Sequence, residues 1–170
     1  WATEYSFPAV KQGLVKKTDL EEFDRINQNG KIAIKFVEGD TLVSAKLVEE
    51  NKDVLLCSSA GKSIRFKEAD CRPIGRASQG VKGIEIDDKE KVIGMQIIDD
   101  TMEILSVTSK GYGKRTQAEE FRTQSRGGKG IINMKLTEKN GDIVQILPVN
   151  ESDHLVVITS GGQVMRTKVA

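Results

Sequence analysis

Four glycines at near-constant spacing constrain this 170-residue chain more than any other feature. VKQGLVKKT, SAGKSIRFK, SKGYGKRTQ and SGGQVMRTK carry them at Gly13, Gly61, Gly111 and Gly162, separated by 48, 50 and 51 residues. Spacing this regular lies in the roughly 40 to 50 residue range of propeller blades. Apolar, β-branched runs lead into three of the glycines: DVLLCS (53–58), EILSVTS (103–109) and HLVVITS (154–160). Each predicts a strand entering a tight turn. After the glycine come a short basic strand, a glycine-containing loop, then IAIKF, GIEI or GIINMKL. An acidic or Asn-Gly turn follows, and last TLVSAKLV, KVIGMQII or DIVQILPV.

The pattern predicts four short strands per repeat and an all-β, propeller-like array in which each blade hides its apolar faces against its neighbours. Helical periodicity is limited to LEEF and AEEF, single-turn connectors starting at Asp19 and Thr116. The repeats are placed at about 11–60, 61–109 and 110–160. Residues 1–10 are expected to be the last strand of a preceding blade, and 161–170 to open a following one. Three periods fall short of the four blades a closed propeller needs, and the chain starts at Trp1 rather than methionine. A fragment of a longer repeat protein is expected.

Several function classes drop out early. With 38% apolar and 30% charged residues the composition is globular, not disordered. No apolar run approaches the roughly 18 residues of a membrane helix, and WATEYSFPAV has no signal-peptide pattern, so a cytosolic location is expected. Cys57 and Cys71 form no CxxC and do not flank His154, which leaves them as reduced, packed thiols without a zinc set. Asp87 with Asp88, and Asp99 with Asp100, fall in predicted turns, where aspartate is ordinary. One histidine supports no triad. Gly111, Gly113 and Lys114 lack the GxxxxGK[ST] spacing of a phosphate-binding loop and lie between strands. No catalytic residue is expected.

Charge, by contrast, is organised. The chain nets only +1, yet residues 61–83 set Lys62, Arg65, Lys67, Arg72, Arg76 and Lys82 against Glu68 and Asp70. Residues 110–130 likewise set Lys110, Lys114, Arg115, Arg122, Arg126 and Lys129 against Glu119 and Glu120. The intervening segments 84–109 and 131–160 are acidic. In the first repeat Lys16 and Lys17 are part of a weaker basic stretch, nearly cancelled by Asp19, Glu21, Glu22 and Asp24. Equivalent segments of a repeat array fall on one rim, which predicts a curved basic track suited to duplex DNA. Bending 20 to 30 base pairs costs roughly 1 to 6 kcal/mol, which added phosphate contacts can offset.

The sharpest local motif is QSRGGKG, Gln124 to Gly130. Gly127, Gly128 and Gly130 let the backbone approach a surface and expose N–H groups, while Arg126 and Lys129 add charge. This stretch resembles the QRRGGKG-type box of the C-terminal DNA-wrapping domain of the DNA gyrase A subunit, in the type IIA topoisomerase family. GYGKRTQAEEFRTQSRGGKGI, GRASQGVKGI and GLVKKTDLEEF extend the similarity over nearly the whole chain. Ser125 stands where the family's box is basic, so 124–130 reads as a later, degenerate copy. SQGVKG (78–83) and NQNGK (27–31), with Lys82 and Lys31, are weaker copies.

The resemblance implies a β-pinwheel whose blades exchange strands, and DNA wrapped around a basic perimeter in support of negative supercoiling. It implies a bacterial parent that joins the rest of the gyrase A subunit with the gyrase B subunit in an A2B2 assembly and uses ATP and magnesium, with no cofactor in this segment. Neither Tyr5 nor Tyr112 receives a catalytic role. The expected DNA contacts are Lys16, Lys17, Lys62, Arg65, Arg72, Arg76, Lys82, Lys114, Arg115, Arg122, Gln124, Arg126, Gly127, Gly128, Lys129 and Gly130. The alternatives are the C-terminal domain of the A subunit of topoisomerase IV and, from another class, a protein-binding propeller. Trp1, outside any Trp-Asp repeat, speaks against the second.

Overall fold

A computed structural model describes residues 4–170; Trp1 and the first residues of the expected 1–10 strand lie outside the described residues. The first repeat forms β1 (Glu4–Val10), β2 (Leu14–Val15), β3 (Thr18–Asp19) and β4 (Leu42–Glu49). The second forms β5 (Asp53–Ser58), β6 (Lys62–Lys67), β7 (Val81–Lys82) and β8 (Val92–Ile98). The third forms β9 (Glu103–Thr108), β10 (Gly113–Gln117), β11 (Ile131–Ile132) and β12 (Ile143–Val149), and the hairpin β13 (His154–Ile158) and β14 (Val164–Lys168) ends the chain.

Each of the first three sheets centres on the apolar strand that precedes a register glycine. β1 pairs with β2 and β3 on one side and β4 on the other; β5 lies between β6 and β8, and β9 between β10 and β12. Strand exchange is the defining connection. β7 leaves its own repeat to pair with β2, through Leu14 opposite Lys82, and β11 likewise joins β6, through Lys62 opposite Ile132. The all-β pinwheel expectation is therefore met, with the sheets left unclosed among the described residues.

Unit boundaries differ from those drawn at the glycines. β1 runs the full length of β4, so residues 4–10 belong to the first blade rather than to a preceding one. β14 pairs with β13 as β10 pairs with β9, so the unit that opens at the end of the chain includes β13 and begins before residue 161. The register glycine lies in the turn between the first two strands of a blade, so boundaries drawn there cut each blade in two. Single 3-10 turns follow the hairpins at Leu20–Phe23, Glu68–Asp70 and Ala118–Glu120. The third starts from Gln117 rather than Thr116, with a reciprocal Gln117–Glu120 capping box. The second was not expected.

Burial explains why the leading strands read as continuous apolar runs. β5 is buried on both faces: Val54 and Leu56 join Phe7, Val15, Ile64 and Met95 in one core, while Leu55 and Cys57 join Ile104, Phe121, Ile143 and Ile146 in the next. The two cores thus lie between blades. Burial pushes the Cys57 thiol up to about 12 and the Cys71 thiol to about 11. Because both folded values lie above the unfolded one, their contribution to stability is complete below about pH 9 and is lost as pH rises toward 12. Denaturant titrations from pH 8 to pH 11 should therefore show falling stability, and a thiol reagent at pH 8 should label neither cysteine before unfolding.

Candidate nucleic-acid interface

The glycine loops form the rim. Gly30, Gly80 and Gly130 recur every 50 residues with φ of 75°, 103° and 70°, which places them in the left-handed region that favours glycine. At Gly80 a Cβ would lie 2.5 Å from the Val15 carbonyl oxygen, and at Gly130 2.5 Å from that of Ser63. Here the loop crosses onto the preceding blade to deliver β7 or β11. Gly30, whose loop has no preceding blade in this chain, has nothing within 4 Å.

Neighbouring loops are joined by repeated hydrogen bonds. Lys35 N–H donates to the Ser78 carbonyl (3.1 Å), and its register equivalent Glu85 N–H to that of Gly128 (2.8 Å). Arg76 Nη1 donates to the Ile32 carbonyl (2.7 Å), and Arg126 Nη1 to the equivalent Lys82 carbonyl (3.0 Å). Between loops two and three, Gly127 N–H also donates to the Gly83 carbonyl (2.7 Å) and Arg126 Nε to that of Asp70 (2.9 Å). The loops from 26–35, 76–85 and 126–135 therefore run side by side as one edge.

This geometry sorts the expected contacts into two groups. Arg72, Lys82, Arg122 and Lys129 are exposed on or beside the loops. Arg76, Arg126, Gln124, Gly127, Gly128 and Gly130 are half-buried, the two arginines engaged in the stitching and the Gln124 N–H donated to the Arg65 carbonyl (2.8 Å). Lys114 is exposed but its Nζ donates to the Asn133 carbonyl (2.9 Å), while Lys62 is held by Glu90 (2.8 Å) and Asp87 (3.3 Å).

Lys16, Lys17 and Arg65 are corrections: all three are buried and leave no charge on the rim. Lys17, Arg65 and Arg115 share one register, four residues past their glycines; the first two reach the following repeat, whereas Arg115 is exposed and pairs within its own sheet. Lys17 pairs with Glu68 of the next repeat and sits 3.8 Å over the Tyr5 ring. Arg65 binds Asp53 and Asp100, each at 2.6 Å, and donates to the Ala118 carbonyl of the next repeat's 3-10 turn (2.8 Å). Arg115 pairs with Glu103 (3.4 Å). Lys16 Nζ donates to the carbonyls of Ala33, Gly75 and Arg76; burial first, then the nearby Arg76 guanidinium, lower its pKa, opposed by Glu22.

Sequence reasoning missed the exposed Arg25, Lys35 and Lys135 beside the loops. Lys35 and Lys135 share a register whose middle member is Glu85, and Arg25 has Gly75 and Ser125 in its own, so no repeated cation marked them. Among the described residues no three His, Cys, Asp or Glu side chains gather as a metal site, and no helix is long and apolar enough to cross a membrane.

Sheets that trade strands with their neighbours, edged by stitched glycine loops bearing free cations, define a β-pinwheel domain of the propeller class. A family model described as DNA gyrase C-terminal domain, beta-propeller matches residues 11–49, 52–99, 103–150 and 153–170, and the chain belongs to that family. It is 44% identical over 168 residues to the A subunit of DNA gyrase from Staphylococcus epidermidis, a match covering 98% of this chain and 19% of that protein. The chain thus spans about a fifth of the length of that relative. A solved DNA gyrase A C-terminal domain superposes with a TM-score of 0.86 at 24% identity, over 99% of this chain and 56% of the other. The C-terminal domain of a DNA topoisomerase IV does so with 0.91 at 22%, over 98% and 53%. At these identities the superpositions establish the fold alone.

Proposed function

We propose that this chain is a non-catalytic DNA-binding segment that bends duplex DNA along its loop rim, in the service of a gyrase-type topoisomerase. The observation that carries the reading is the stitched edge with Arg72, Lys82, Arg122 and Lys129 free upon it. Arg72 and Arg122 lie at repeat spacing, and cations along a continuous edge recover counterion-release free energy best when the duplex follows that edge. In this reading ATP and magnesium belong to the rest of the parent, as do the strand-cleaving chemistry and the A2B2 contacts with the gyrase B subunit. The parent acts in the bacterial cytoplasm. Topoisomerase IV, through its own A subunit, is the neighbouring reading, since the fold is common to both.

Binding to a duplex of about 40 base pairs should weaken steeply with salt and be insensitive to base sequence. Lys129→Ala should reduce the slope of log K against log salt by about 0.9, the share of one phosphate contact. Arg126→Ala should instead weaken binding by loosening the contact between loops. No binding at low salt sinks the reading, and an unchanged slope in Lys129→Ala removes that residue from the interface.

A further inference from the structure

We propose that Lys16 is a positioning residue for the rim: a buried ammonium that clasps the carbonyl edges of the first two glycine loops and so sets the path offered to DNA. The proposal rests on the DNA-bending reading above.

Lys16 is fully buried, yet no carboxylate is among its hydrogen-bond partners. Its Nζ donates to the Ala33 carbonyl of loop one (2.5 Å), and to the Arg76 and Gly75 (3.4 Å) carbonyls of loop two. An ammonium placed so is unfavourable for stability unless its hydrogen bonds are complete. The fold does not demand one there: the register equivalent in the second repeat is Ile64, equally buried within the apolar core. A lysine at this position supplies what isoleucine cannot, which is hydrogen bonds to loop carbonyls.

The two loop junctions show why one of them needs it. At the second, the Gly83 carbonyl accepts from Gly127 N–H, and Gly127 reaches that geometry with φ of 83°. At the first, Ala77 occupies the register of Gly127, and the Ala33 carbonyl, equivalent to that of Gly83, accepts from Lys16 instead. Arg126 Nε is bonded to Asp70, whereas Arg76 Nε is buried without a partner. The ammonium therefore replaces a backbone bond that the degenerate loop, lacking its glycine, does not make. Lys114 repeats the first half of the device in the third blade by donating to Asn133, the register equivalent of Ala33.

The test compares Lys16→Met with the unaltered 170-residue chain by three measurements. These are amide exchange at Lys35 and Glu85, the end-to-end distance of a doubly labelled duplex of about 40 base pairs, and the salt slope of binding. Ile64 shows that an apolar side chain is accommodated in this register, and the exposed Lys114→Met serves as a second variant that leaves the core untouched. In Lys16→Met the Lys35 amide, which spans the clasped loops, should exchange about tenfold faster, the effect of losing one hydrogen bond from a charged donor. Glu85, which spans the other junction, should be unchanged. The duplex ends should lie further apart at an unaltered salt slope. Lys114→Met should reproduce the larger end-to-end distance in weaker form. Unchanged exchange at Lys35, equal acceleration at both amides, or a slope reduced by about 0.9, the sign of a direct phosphate contact, each overturns the proposal. A wild-type chain that leaves the duplex unbent overturns the DNA reading and the bending half of this inference, while the two amide rates still decide the clasp.

Discussion

Gly130→Ala is expected to lower stability by about 3 to 4 kcal/mol, while Gly30→Ala in the same register should cost only about 1 kcal/mol. Both glycines have φ near 70° to 75°, so both variants bear the strain of an L-residue in the left-handed region, roughly 1 to 2 kcal/mol. At Gly130 the new Cβ would also meet the Ser63 carbonyl oxygen at 2.5 Å, and that atom belongs to the strand β11 must pair with. Relief requires moving β11 off β6, which uncovers part of the core; losses of this size are reserved for such backbone conflicts. Gly80→Ala should behave like Gly130→Ala, because its Cβ meets the Val15 carbonyl at the same distance. Urea denaturation of the three variants decides the matter. Equal losses at Gly30 and Gly130 would show that strand exchange does not set the requirement for glycine.

Arg65→Met should destabilise by about 3 to 5 kcal/mol and leave DNA affinity and its salt slope unchanged in the folded protein. Arg65 is almost wholly buried against Asp53, and removing it leaves that buried carboxylate with only the half-exposed Lys67 (2.7 Å) as its ion-pair partner. It also releases the Ala118 carbonyl, so the second and third blades lose their shared clamp. Replacing Asp53 by leucine in the same chain should recover part of the loss, because two apolar side chains in place of a buried pair are often neutral. A loss under about 1 kcal/mol would remove the clamp. A reduced slope would return Arg65 to the interface.

The repeats, the strands and the basic loops were legible because they rest on local chemistry. A glycine in a tight turn, an apolar run before it and a cation-rich loop after it are each visible within ten residues. The fate of individual cations was not, because it depends on chain about 50 residues away. Arg65 reads as an exposed strand residue until the 3-10 turn of the following repeat closes over it, and Lys17 until Glu68 does. Spacing to an acid does not separate clamp from rim: Asp53 precedes Arg65 by twelve residues, and Asp70 precedes the loop cation Lys82 by the same number. The backward donation of β7 and β11 was reached through family resemblance alone, since two-residue strands carry no periodicity.

Donating a strand backward also imposes a schedule on synthesis. Lys82 follows its partner Leu14 by 68 residues, and Ile132 follows Lys62 by 70. At translation speeds of about 5 to 20 residues per second, each sheet waits roughly 3 to 14 seconds for its last strand. During that interval the nascent chain carries an unpaired β-edge, the surface through which partly made β-proteins associate wrongly. The newest blade is always the incomplete one, and the ribosome hands each repeat the means to finish its predecessor.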